Sequence, residues 1–229
     1  MRGGAAMRRA RMLDRSERVK LAEPVQDGSV ALERCLARRR SVRGFRDQAL
    51  ADDQLGQLLW AAQGVTAADG GRAVPSAGAL YPLELYVVCG NVVRLAAGVD
   101  RYLPERHELL LVTPGDRRQE LVGAAHGQDW IATAPAVICI AAAFERTTVK
   151  YGNRARSFVY MEAGHAAESL MLQAVALGLA TTMVGAFSDG EVKRLLHLEP
   201  DETPLCLIPL ARLEAGLDRT GGDHGRSWS

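Results

Sequence analysis

The sequence has little of what marks a secreted, membrane-embedded or nucleic-acid-binding protein. Its 4 cysteines lie far apart and form no C-x-x-C pair, which favours free buried thiols in a reducing compartment over disulfides or a zinc site. No apolar run approaches the length of a membrane span. A formal net charge of +1 gives no electrostatic case for binding nucleic acid or an anionic membrane. We therefore expect a cytoplasmic protein with neither partner.

Several motifs of common enzyme classes are also missing. No G-x-G-x-x-G follows a predicted strand and no Walker loop occurs, which argues against a dedicated domain for NAD or ATP. No G-x-S-x-G marks a nucleophilic serine. Glu162 and His165 have the E-x-x-H spacing of di-iron bundles, but the sequence has no second copy of that motif. We therefore expect no metal site, and a His165 that is packed or faces solvent.

The chain does contain enough apolar residues for one sizeable core, since 48% of its 229 residues are hydrophobic. We predict one domain over residues 21–213, a basic flexible tail over 1–20 and a disordered tail over 214–229. Helices are predicted over 30–39, 53–62, 116–125, 157–177 and 189–196. Strands are predicted over 83–89, 109–112, 136–142 and 205–210, with a hairpin inside 98–112. Interleaved strands and helices indicate an α+β or mixed-sheet domain.

The predicted helix over 157–177 has no proline and a single glycine, and alanines and unbranched apolar residues dominate it. Phe158, Met161 and Leu170 lie along one stripe, while Val159 and Leu172 make other faces apolar. A helix on the protein surface would have a polar face toward solvent. We therefore expect this helix to be buried on more than one side, in the domain centre or shared with a second subunit, and to end at a left-handed Gly178.

Three residues near the start suit a phosphate group. Arg39, Ser41 and Arg43 alternate after a predicted helix, so an extended backbone would project all three side chains to one side. Arginine forks bind the oxygens of a phosphate monoester in pairs and keep their charge at any working pH. The alternative is a solvated basic run at a helix end.

Two turns of small residues suit a flat ring. Pro75, Ser76, Ala77 and Gly78 offer consecutive backbone N–H groups without bulk, and Gly185 with Ala186 forms a similar turn. Backbone N–H groups in such turns can approach a ring and donate to its heteroatoms. The alternative in both cases is an ordinary loop.

Taken together, these segments resemble the FMN-dependent nitroreductase-like superfamily. The motifs are Arg-x-Ser-x-Arg, Pro-Ser-Ala-Gly-Ala-Leu-Tyr-Pro, Gly-Ala-Phe after a long helix, Lys-Tyr at 150–151 and Met-Glu-Ala-Gly-His at 161–165. More closely, the chain resembles the SagB-type branch, which includes flavin enzymes that oxidise azolines to azoles in modified peptides. The resemblance runs from about Val19 to Arg212.

The resemblance implies a mixed or antiparallel sheet flanked by helices. It also implies an intertwined homodimer, with the long central helix at the interface and two FMN sites there. Arg39, Ser41 and Arg43 would hold the phosphate and ribityl of FMN, and Arg212 would close the phosphate site. Pro75–Gly78 of the partner subunit would lie against the isoalloxazine, and Gly185–Ala186 would offer backbone N–H groups to flavin N5 or O4.

The sequence departs from the pattern of its relatives at three places. Ala211 replaces a glycine before the last arginine, Glu168-Ser169 replaces Gln-Asn, and Asp100 replaces an aromatic residue in the hairpin. The first departure bears on the role of Arg212, the second on polar contacts of the long helix and the third on a substrate wall.

The same resemblance makes Lys150 and Tyr151 the candidate catalytic pair, acting as the base in azoline oxidation. A free lysine with a pKa of ~10.4 is a poor base at neutral pH, and burial beside the flavin or a nearby Arg154 would lower that pKa. The alternative is a solvated lysine and a packing tyrosine.

Three functions follow. The first is dehydrogenation of a small-molecule or peptide-borne heterocycle by an FMN oxidoreductase. The second is reduction of nitroaromatics or quinones with NAD(P)H as a transient electron donor. The third is a non-catalytic, flavin-binding partner subunit.

Overall fold

The structure is a computed structural model that describes residues 18–45 and 48–212. Its centre is one sheet of seven strands in the order β1-β4-β3-β2-β5-β7-β6, with every neighbouring pair antiparallel. The strands are β1 (Arg18–Lys20), β2 (Leu83–Cys89), β3 (Gly98–Leu103), β4 (Glu108–Pro114), β5 (Ala136–Ala143), β6 (Leu179–Thr181) and β7 (Glu202–Arg212). The sheet is therefore the antiparallel form of the predicted fold.

Helices cover both faces of the sheet. They are α1 (Leu32–Arg38), α2 (Asp52–Gln63), α3 (Arg118–Ala124), α4 (Glu145–Tyr151), α5 (Ala155–Ala176) and α6 (Asp189–Leu195). One apolar core joins α2 and α5 to one face of the sheet, and a second joins α3 and α6 to the other. Strand β5 is buried along its whole length, because covering both faces leaves no position for a polar residue. The predicted α+β class is confirmed.

The predicted elements are found with small changes of boundary. The long helix begins two residues earlier than predicted, and the hairpin inside 98–112 is formed by β3 and β4. Gly178 has a φ of +69°, the left-handed conformation predicted after the helix end. No helix in the described part of the chain is long and apolar enough to cross a membrane.

Three elements were not predicted. Helix α4 contains two threonines and a valine, which disfavour helix in isolation, and β1 and β6 are too short to show an alternating pattern. Strand β1 takes in the last three residues of the predicted basic tail. Residues 1–17 of that tail and the predicted tail over 214–229 lie outside the described residues.

Within one chain, helix α5 is buried along one side only, so of the two predicted arrangements the helix shared with a second subunit stays the prediction. Val159, Ala163 and Leu170 face the core, whereas Tyr160 is 49% exposed and Met161 is 55% exposed. The sequence pattern was apolar on both sides because the second side carries large apolar residues that the single chain leaves uncovered. We predict that a second subunit packs against these residues.

Candidate active site

The two candidate catalytic residues lie against the small-residue turn, which we define as Pro75–Gly78. Lys150 and Tyr151 end helix α4, and a Cβ atom added to Gly78 would lie 2.8 Å from both Lys150 Nζ and Tyr151 Oη. Gly78 also has a φ of +65°, which favours glycine. The small-residue turn, Lys150 and Tyr151 therefore form one group on the surface of a single chain, which we call the turn group.

Helix α5 helps to hold this group. The Tyr151 ring meets Phe158 of α5 edge-on, with ring centroids 5.0 Å apart. The Lys150 Nζ lies 5.5 Å from the centroid of the Tyr151 ring, within range of a cation–π contact. Lys150 itself is exposed, so any desolvation of this amine has to come from a bound ligand or a second subunit.

Polar contacts fix the chain on the far side of the turn. The Tyr81 N–H donates to Ser76 Oγ at 2.9 Å, and Arg146 Nη1 donates to the Tyr81 carbonyl at 3.0 Å. The Arg72 guanidinium lies 4.6 Å from the centroid of the Tyr81 ring and donates to Gln63 Oε1 at 2.8 Å. Tyr81 is therefore held through its backbone and its ring.

Helix α5 also contains a buried acid. Glu162 is 2% exposed, and its Oε1 has no hydrogen-bond partner among the described residues. Burial raises the pKa of Glu162 to about 7, against a smaller lowering by Ser76 and Arg72. Glu162 entered the sequence analysis only as half of an E-x-x-H pair. An acid on the apolar stripe of this helix was the signal that could have identified it.

The arginine segment, Arg39–Arg43, lies at a different place. Arg39 follows the end of α1, and its Nε lies 3.4 Å from Glu168 Oε1 of α5. Ser41 forms a parallel bridge with Thr181 of β6, and the Val42 N–H donates to the Thr181 carbonyl at 3.0 Å. Ser41 and Arg43 are exposed.

The remaining predicted cofactor residues lie near the same edge of the sheet. Arg212 ends β7 opposite Leu179 of β6, and it is exposed. Gly185 and Ala186 follow β6 and are exposed, and the Ala186 carbonyl accepts from Gln128 Nε2 at 3.1 Å. A Cβ added to Gly185 would meet nothing within 4 Å. The segments that carry Ser41 and Arg212 thus flank β6 on its two sides, about 10 Å apart across it.

The structure therefore brings the predicted residues into two groups rather than one. The turn group contacts α5 through Phe158, and the arginine segment contacts it through Glu168. Ten positions separate these two residues, which is about 15 Å along the helix axis. The two groups therefore contact α5 at different points along its length.

The described residues contain no cluster of histidine, cysteine and acidic side chains that could hold a metal ion. His165 is exposed and Glu162 is buried, so the E-x-x-H pair does not converge on one point.

Comparison with known proteins agrees with this fold. The model of the nitroreductase family matches residues 36–212. A nitroreductase-family protein from Methanocaldococcus jannaschii is 45% identical over 183 residues, which cover 80% of this chain and 91% of that protein. The crystal structure of a nitroreductase-family protein from Ralstonia eutropha JMP134 superposes with a TM-score of 0.77 at 28% identity, covering 87% of this chain and 90% of that one.

A more distant fold neighbour is a chain of the E. coli microcin synthetase McbBCD complex with truncated pro-MccB17 bound. It gives a TM-score of 0.69 at 24% identity, covering 84% of this chain and 76% of that one. The chain belongs to the nitroreductase family. It is an oxidoreductase with the antiparallel α+β fold of that family.

Proposed function

We propose that the protein is an FMN-dependent oxidoreductase in which two copies of the chain enclose each flavin. The observation that carries this proposal is the contact of Lys150 Nζ and Tyr151 Oη with the place where Gly78 lacks a side chain. An amine and a phenol therefore lie directly against the small-residue turn, which suits a ring system that exchanges hydride and protons.

The exposed residues at the β6 edge fit the other end of FMN. Arg39, Arg43 and Arg212 would pair with phosphate oxygens, and Ser41 would donate to the phosphate or the ribityl chain. Gly185 and Ala186 would offer backbone N–H groups to the ring. Arg39 already has an anionic neighbour in Glu168, and a phosphate dianion would compete with that carboxylate for the same guanidinium.

Exposed apolar residues support a homodimer. In this proposal one flavin contacts the arginine segment of one copy and the small-residue turn of the other. Large apolar side chains are available for such an interface: Tyr160 and Met161 on α5, and Leu32 at 58% and Leu36 at 54% exposure on α1. Burying these side chains in an interface would stabilise the dimer by about 25 cal/mol for each Å² of apolar surface removed from water.

In this proposal the flavin, when bound, supplies the redox chemistry by accepting or giving hydride. The residues of the chain hold the substrate and the proton. Lys150, at the mouth of the turn group, takes the proton that leaves a heterocyclic substrate, and the Tyr151 hydroxyl orients that amine. The substrate class we favour is a small-molecule or peptide-borne azoline, oxidised to an azole as in the SagB-type branch.

The second candidate is an NAD(P)H-dependent reductase of nitro compounds or quinones. The relative from M. jannaschii, which is 45% identical and is named as a nitroreductase, favours this reductase function. Here NAD(P)H would bind transiently against the same ring.

Anaerobic mixing of the FMN-loaded protein with each donor separates the two functions. We expect an azoline substrate to bleach the flavin and NADPH to bleach it slowly. Rapid bleaching by NADPH with none by azolines would assign the reductase function instead. We further propose a cytoplasmic location, supported by four cysteines that are all free and buried.

A further inference from the structure

Helix α4 contacts the chain around the small-residue turn at two points. Arg146 and Lys150 are four positions apart on α4, and residues at that spacing lie on the same face of a helix. Lys150 Nζ lies against Gly78, and Arg146 Nη1 donates to the Tyr81 carbonyl at 3.0 Å. One face of α4 therefore meets the chain both at the end of the turn and three residues after it.

The second contact falls where the backbone is strained. Ala79 has a φ of +53° and Tyr81 a φ of +44°. Left-handed conformations disfavour residues with a side chain, and they persist only where the surroundings hold them in place. Arg146 provides one such hold, because its guanidinium binds the carbonyl of Tyr81 itself.

A chain of ion pairs orients Arg146. Its Nη2 donates to Glu84 Oε1 of β2 at 2.6 Å, so the guanidinium bridges a carboxylate and a backbone carbonyl. The other oxygen of that carboxylate, Glu84 Oε2, accepts from Arg101 Nε of β3 at 3.2 Å. Arg101 Nη2 also lies 3.4 Å from Glu202 Oε1 of β7. Four side chains of alternating charge thus run from three strands of the sheet to the turn.

The acids of this chain of ion pairs are largely removed from water. The side chains of Glu202 and Glu84 are 2% and 11% exposed. Burying charges is costly even when they are paired, and well-packed apolar residues of similar volume are often at least as stable. Stability alone therefore does not account for the ion pairs, whereas their outer end, Arg146, is where they meet the proposed catalytic pair.

We propose that Arg146 is a positioning residue that fixes α4, and with it Lys150 and Tyr151, against the small-residue turn, and that Glu84 acts through Arg146. The effect on turnover rests on the proposed function, whereas the contacts are properties of the single chain. An arginine suits this place because its planar guanidinium donates to two acceptors in different directions at once.

Flavin bleaching by two donors tests the positioning role. An azoline gives a hydride to the flavin and a proton to the base, whereas NADPH gives a hydride and needs no base. We expect Arg146→Ala to slow bleaching by a saturating peptide azoline about tenfold to a hundredfold, the loss for a group misplaced by about 1 Å. Bleaching by NADPH should be unchanged. Equal slowing with both donors would indicate a general structural role and overturn the proposal.

The matched control is Arg94→Ala, which removes an exposed arginine paired with Asp52 at the start of α2. It should change neither rate. Glu84→Gln removes the charge at nearly constant size, and it should slow azoline bleaching less than Arg146→Ala does. The double variant should be no slower than Arg146→Ala alone, because Glu84 acts through Arg146. Losses that multiply in the double variant would contradict this order.

Amide hydrogen exchange of Tyr81 in the flavin-free protein tests the contact without turnover. This N–H donates to Ser76 Oγ at 2.9 Å. We expect Arg146→Ala to lower its protection about fivefold, the factor that corresponds to one hydrogen bond, and Arg94→Ala to leave it unchanged. Unchanged protection in Arg146→Ala would overturn the proposal. If no form binds FMN or is bleached by an azoline, the proposed function fails, while Tyr81 exchange still decides whether Arg146 fixes the turn.

Discussion

The small-residue turn and the arginine segment differ in how far a single chain fixes them. Around the turn, the Tyr81 N–H donates to Ser76 Oγ, and the side chains of Lys150 and Tyr151 lie against Gly78. In the arginine segment, Ser41 and Arg43 are exposed, and Arg39 has a single carboxylate at 3.4 Å. Contacts within one chain fix the first region, and few such contacts are made by the second.

This difference fits the two ends of a flavin nucleotide. A rigid ring that undergoes chemistry needs a surface held in place, because misplaced groups lose the advantage of orientation. A phosphate on a flexible chain can be bound by exposed arginines, whose guanidinium groups pair with its oxygens. Each prediction below tests one side of this contrast, or the interface that would bring the two together.

The largest effect is expected at the turn group. Lys150→Ala should lower turnover by about 10²–10⁴-fold, because a positioned base contributes that much, and it should leave FMN binding intact. Single-turnover kinetics of the flavin-loaded protein measure this. Val149→Ala, which shortens the exposed neighbour of Lys150 on α4, is the matched control. Unchanged turnover in Lys150→Ala would remove Lys150 from the catalytic pair.

The interface comes next. Met161→Glu places a charge on the exposed side of α5, and burying an unpaired charge costs several kcal/mol. We expect dimer dissociation to increase by about a hundredfold or more, with FMN lost in parallel. Sedimentation over a concentration series gives the answer. A variant that remains a flavin-loaded dimer would show that α5 does not form the interface.

A smaller effect is expected in the arginine segment. Arg43→Ala should weaken FMN binding by about tenfold to a hundredfold, the range for one hydrogen bond to a charged group, without changing riboflavin binding. Arg117→Ala, which removes a half-buried arginine beside α3, should leave both affinities unchanged. An equal loss for FMN and riboflavin would mean that Arg43 does not contact the phosphate.

The smallest effect concerns the shape of the turn. Gly78→Ala adds a Cβ within 2.8 Å of Lys150 Nζ and forces a residue with a side chain to a φ of +65°. We expect a loss of about 1–2 kcal/mol in the free energy of unfolding. Gly123→Ala in α3, where a Cβ meets nothing within 4 Å, should instead gain up to about 1 kcal/mol. Urea unfolding measures the free energy of unfolding of both variants. Equal values would contradict the claim that the turn is fixed in its conformation.

The sequence predicted best those elements whose hydrophobic pattern lies within a single segment. The apolar runs of β2 and β5 and the long helix α5 were found to within two residues, because period and composition define them locally. Strand β6 could not be found, since its three residues become a strand only through pairing with β7. The contact of Arg146 with the Tyr81 carbonyl was missed for the same reason, since 65 positions separate the two residues along the chain.

The central proposal is that two copies of the chain enclose the flavin. Native mass spectrometry of the purified protein, combined with its visible absorption spectrum, tests this directly. The prediction is a yellow homodimer that carries two FMN molecules. A colourless monomer that takes up no added FMN would contradict it.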